Sequence, residues 1–214
     1  MKNKYVLPVI IGAVLGVISV IVSRVPAQVA DWSGMRVIAN HIGYLLGTLL
    51  LAYINAGKWS DGFIAGTLTM FTANVTYYVI IHFGGKLELF PGHNILTELD
   101  ALVWWTVIGA ACAALSATII KYVLHGKALF FRYGAAASWY GAMLFVIYMF
   151  DARRVINSYN SEVYKEHGYL TEYYGGRNFA GDMFSIIFAF VLVTVIFILL
   201  TIKVKRSNRY GENT

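Results

Sequence analysis

The sequence predicts an all-α fold: a single polytopic membrane bundle of six transmembrane helices with both termini cytoplasmic. Three observations carry this reading. Of the 214 residues 58% are hydrophobic and 13% charged, where a soluble domain carries about 25% charged residues. The apolar residues fall in long blocks rather than in short periodic stripes, and each block is long enough to cross a bilayer as a helix. Finally, the basic residues alternate in density from one connection to the next.

The first apolar run covers residues 5–23, behind Lys2 and Lys4. It is longer than the roughly 7–15 residues of a secretory h-region, so it reads as an uncleaved first span. Small residues near Ala27 and Ala30 leave cleavage as the alternative. The remaining spans are 37–57, 62–85, 101–120, 133–150 and 183–202. With the N-terminus inside, ten bases lie on the inner side: Lys2, Lys4, Lys58, Lys121, Lys127, Arg132, Lys203, Lys205, Arg206 and Arg209. Seven lie outside: Arg24, Arg36, Lys86, Arg153, Arg154, Lys165 and Arg177. This bias sets the orientation by the positive-inside rule. The short connection 56–61 makes the second and third helices antiparallel neighbours. The longest connection, the outer loop 151–182, carries Tyr159, Tyr164, Tyr169, Tyr173 and Tyr174. It reads as a lid or surface segment, or as tyrosines anchoring the loop at the headgroups.

Composition also excludes function classes. The net charge of +6 comes from bases spread over the loops, not from a basic soluble face, so nucleic acid is not an expected partner. The single cysteine, Cys112, rules out an internal disulfide or a multi-cysteine metal site. There is no Gly-x-Ser-x-Gly, no Walker A loop and no His-Glu-x-x-His. No cofactor, catalytic residue or metal ligand is assigned on these grounds.

Small residues recur four apart, as Gly12 with Gly16, Gly43 with Gly47 and Gly62 with Gly66, which lets helix backbones approach closely. The third span, residues 62–85, has no Asp, Glu, Lys or Arg but many hydrogen-bonding groups. Asn74, Tyr78 and His82 stand four apart on one face, with Thr67 two turns below. Near mid-membrane the Asn74 amide has four hydrogen-bond positions to fill, so it is either a bond between helices or the wall of a polar cavity. At the outer mouth Asn40, His41 and Asp182 are expected to join this face. The candidate ligand-binding set is therefore Asn40, His41, Asn74, Tyr78, His82 and Asp182.

Several segments together resemble a family of small bacterial integral membrane proteins known only as a domain of unknown function. They are Gly12-Ala13-Val14-Leu15-Gly16, Ala39-Asn40 with Gly43, Tyr77-Tyr78, and Trp104 through Gly109 and Ala113. This chain departs from the family in having no acidic residue in 140–148, late in the fifth span, and in its long last outer loop. The resemblance implies six helices in a bacterial cytoplasmic membrane and no particular activity. In size and helix count the chain is also similar to the substrate-binding subunits of energy-coupling-factor transporters, which implies an ATPase and a partner membrane subunit.

The expected function is binding or transport of a small polar or amphipathic solute through an outward-opening pocket between the second, third and sixth helices. The competing class is a non-catalytic accessory or immunity-type protein that docks a membrane protein partner through glycine-rich helix faces. An enzyme using His41, His82 and Asp182 ranks third.

Overall fold

The computed structural model describes residues 5–24, 29, 32–38, 41–55, 57–86, 95–161, 165–166 and 179–211. Among them every regular element is helical. These are α1 (Val6–Arg24), α2 (Met35–Ile38), α3 (His41–Ile54), α4 (Trp59–Lys86), α5 (Ile95–His125), α6 (Leu129–Val146), a π-helical turn (Ile147–Ala152), α7 (Arg153–Tyr159) and α8 (Phe179–Gly211).

Four of these helices, α1, α4, α5 and α8, are long and apolar enough to cross a membrane. The second expected span contains α3, an apolar helix of 14 residues. The fifth, 133–150, falls on most of α6 and the first four residues of the π-helical turn. There the ladder widens, and the Arg153 N–H donates to the Tyr148 carbonyl five residues back. The helical path runs on to Tyr159 although the apolar run ends at Phe150. Residues 153–159 hold neither glycine nor proline, so the backbone bonds continue after hydrophobicity stops. The last helix likewise opens at Phe179, before Asp182.

The side chains are distributed inside out relative to a water-soluble bundle. On α1 the buried positions are Pro8, Gly12, Gly16, Ser19 and Val20, while Leu7, Ile10, Val14, Val17 and Ile21 are exposed. On α8 Gly181, Ser185, Ala189 and Val193 are buried, whereas Ile187, Phe190, Val191, Val195 and Leu199 face out. Small residues inside and large apolar ones outside are what helices packing in lipid require.

The chain divides into two compact units, Met1–Ser23 with Gly43–Lys121, and Arg24–Ile42 with Tyr122–Thr214. In the first, α1, α3, α4 and α5 alternate in direction. Ser19 and Tyr44 join hydroxyls at 2.6 Å and Gly47 faces Leu15, so α3 runs antiparallel to α1. Gly62 meets Ala52 and Gly66 meets Thr48, so α4 returns against α3 as the short turn requires. Along α4 and α5, Gly62 faces Ala117, Gly66 faces Ala113 and Met70 faces Gly109. The α1–α4 seam is the closest. A methyl at Gly12 would stand 2.5 Å from the Thr69 carbonyl oxygen, and one at Gly16 would stand 2.6 Å from that of Ala73. Thr69 adds a bond across this seam to the Pro8 carbonyl at 3.0 Å.

In the second unit α8 runs antiparallel to the path of α6 and α7. The Tyr140 ring stacks on Phe197 at 4.6 Å and its hydroxyl meets Thr194 at 3.1 Å. Gly34 holds φ at +69°, and a methyl there would press on the Phe188 ring at 3.0 Å, so the turn into α2 takes glycine on both counts. Arg132, read from the sequence as an inner-loop base, is buried in the first turn of α6. Its Nε donates to the Val123 carbonyl at 2.9 Å, satisfying an orphan acceptor at the end of α5.

Candidate functional site

The polar residues of α4 separate into two groups once their bonds are traced. Thr72 donates to the Leu68 carbonyl at 2.8 Å, and Thr69 shares its proton between the Ala65 and Pro8 carbonyls. These are threonines satisfied by helix backbone. Thr67 and Asn74 are different. Asn74 is only 7% exposed, and its Nδ2 finds no hydrogen-bond partner among the described residues. The Thr67 hydroxyl, also buried, finds none either. Such a group, left unmade in an apolar interior, costs about 1–3 kcal/mol.

Both lie on one strip of α4. At 3.6 residues per turn, positions 67, 74, 78 and 82 fall within an arc of about 80°. Asn74 sits close to the middle of the 28-residue helix Trp59–Lys86. Above it come Tyr78 and His82, both half-buried. The Tyr77 and Tyr78 rings meet edge to face at 5.0 Å, and so do His82 and Phe83 at 5.7 Å. The strip holds an amide, two hydroxyls and an imidazole, with no carboxylate, lysine or arginine between Asp61 and Lys86. It offers hydrogen bonds to a neutral or zwitterionic group and no fixed charge to an ion.

The other sequence-expected residues are not on α4. Asn40 lies outside the described residues, and His41 contributes the first backbone position of α3. Asp182 belongs to the second unit. It is 1% exposed, sits in the first turn of α8 where negative charge is favoured, and accepts from the Tyr159 hydroxyl at 2.7 Å. Tyr159 also meets Phe179 edge to face at 5.4 Å. This tyrosine, one of five expected in the long loop, instead closes α7 onto α8. Among the described residues no three His, Cys, Asp or Glu side chains gather as a metal ion requires. The unsatisfied state of Thr67 had no sequence signal beyond its place on the strip. A scan of protein-family models, a search of curated proteins and a search of solved structures each return no match to this chain.

Proposed function

We propose that the chain is a multi-pass protein of a bacterial cytoplasmic membrane that binds or moves a small polar or amphipathic solute along the Thr67–Asn74–Tyr78–His82 strip. In this reading all six apolar runs cross the membrane, both termini are cytoplasmic and the strip opens outward. The observation that carries it is the Asn74 Nδ2, a mid-helix donor buried without a partner among the described residues. A structural amide would be expected to hold its bond in the resting protein, whereas a binding amide holds it only when loaded. The absence of fixed charge on the strip supports an uncharged or zwitterionic solute. The resemblance noted in the sequence is compatible with this and adds no activity.

The test is Asn74→Leu, read in two ways. Removing an unsatisfied donor should leave stability in detergent unchanged or raise it, by up to about 1–3 kcal/mol. Native mass spectrometry from mild detergent should show a small-molecule adduct on the wild type that the variant lacks. A loss of stability with the adduct retained would make Asn74 interhelical glue, worth about 0.6 kcal/mol on average, and would end the solute reading.

One observation favours the accessory reading as a second. Gly12, Gly16, Gly62, Gly66 and Gly109 are all filled by neighbours within the first unit, but Gly134 and Gly141 on α6 meet nothing within 4 Å among the described residues. A partner helix docking on this protein would seat on α6 rather than on the glycine pairs of the first helices.

A further inference from the structure

At the end of the first unit where α3 turns into α4, a recess opens between three helices. Its walls are Ala52, Gly62, Ala117 and Ile120, and its rim is Lys58, Trp59 and Lys121. The recess exists because its floor is made of very small side chains, with Gly62 already lying against Ala52 and Ala117. Its free volume is about 10 Å³, room for one water-sized group, so a larger ligand would rest across the mouth with one end inserted.

The chemistry of the mouth is specific. Trp59 is fixed in place, its indole N–H donating to the Thr118 hydroxyl at 3.0 Å and its ring stacked on Phe63 at 5.2 Å and 10°. Its polar atom is thus already engaged, and the residue, 40% exposed, offers its ring as an apolar wall. Lys58 and Lys121 are both exposed at the rim, from the start of α4 and the last turns of α5. No acidic residue lines the recess; neighbouring Asp61 is not part of it. Two ammonium groups beside a tryptophan, above an uncharged floor at a helix turn, match a negative headgroup at a membrane surface.

The geometry points to a binding site for an anionic phospholipid, with Lys58 and Lys121 holding the phosphate across the mouth and one oxygen-sized group entering the recess above Gly62 and Ala117. It rests only on the chain being membrane-embedded and is independent of the solute strip. The test uses the full chain in nanodiscs of mixed phosphatidylglycerol and phosphatidylcholine, with retained lipids counted by native mass spectrometry. The wild type should retain phosphatidylglycerol in preference, and the Lys58→Gln/Lys121→Gln variant should bind it on the order of tenfold more weakly. Both positions are exposed, so the variant should keep the far-ultraviolet circular dichroism of the wild type. A Lys203→Gln/Lys205→Gln variant with the same loss of charge should retain the lipid. Equal loss in both variants would overturn the site in favour of general surface charge, as would unchanged retention in the first. Displacement of the lipid by millimolar inorganic phosphate would overturn the lipid assignment and leave a simple anion site. Loss of the small-molecule adduct is a separate readout and should not accompany loss of the lipid.

Discussion

Gly12→Ala adds one methyl group to α1, and the structure says how much room it has. The new carbon would stand 2.5 Å from the Thr69 carbonyl oxygen, 2.9 Å from Thr72 Cβ and 3.2 Å from the Ala73 nitrogen. Two of these three atoms are backbone, so no rotamer change relieves the clash. The seam must open by roughly 1 Å, which forfeits a quarter to a half of each dispersion contact along it. Overpacking of this kind costs about 1–3 kcal/mol. The Thr69–Pro8 bond spans the same seam and adds about 0.6 kcal/mol when stretched, while alanine returns up to about 1 kcal/mol of helix propensity. The net expectation is about 0.6–2.6 kcal/mol of destabilisation. Gly141→Ala makes the same chemical change where nothing lies within 4 Å, and should be neutral or stabilising by up to about 1 kcal/mol. Reversible unfolding in mixed micelles, followed by circular dichroism, compares the two directly. Equal stability of the two variants would refute the close α1–α4 approach and with it the parallel seating of these helices.

Two other outcomes follow from the second unit and from the proposed orientation. Tyr159→Phe removes the donor from a carboxylate that is 1% exposed; hydrogen bonds to charged groups are worth about 1.5–3 kcal/mol, so the variant should lose stability in that range, read by the same unfolding assay, and proteolysis should become faster near the start of α8. In a Cys112→Ala background, Lys58→Cys and Arg153→Cys should react with an impermeant maleimide from opposite sides of the membrane, the first from the cytoplasm. Labelling of both from one side would overturn the six-span topology.

How much of this could be read from residues alone depended on the scale of the signal. Long uncharged runs marked α1, α4, α5 and α8 plainly, because spanning helices need bulk hydrophobicity and little else. The ends were harder. The continuation 153–159 carries two arginines and an asparagine, and nothing in its hydropathy distinguishes helix from loop. The glycine pairs correctly signalled close approach in α1 and α4, yet the spacing could not say which helix each would meet. On the candidate strip, Asn74 stood out because an amide is costly at mid-membrane. Thr67 did not, since a threonine usually bonds its own helix, as Thr69 and Thr72 do. Asp182 and Tyr159 lie more than twenty positions apart, and only the folded chain brings them together.

The α4–α5 seam has a property beyond close contact. Small residues recur every four positions along α5, at Gly109, Ala113 and Ala117, and α4 meets them with Met70, Gly66 and Gly62 in turn. Sliding α5 by one turn would set Gly66 on Ala117 and Met70 on Ala113, in place of Gly62 on Ala117 and Gly66 on Ala113. Sterically the second notch is worse, because a methyl opposite Met70, as at Gly109, would stand 2.6 Å from the Met70 Cβ. Polar bonds act in the same direction: Thr48 with Ser116 at 3.0 Å, and Trp59 with Thr118 at 3.0 Å. At about 0.6 kcal/mol each, two such bonds bias the setting only about sevenfold. Register in this half of the protein is therefore chosen by the Gly109–Met70 fit together with hydroxyls and an indole. Any group that competes for those hydrogen bonds acts directly on the position of α5.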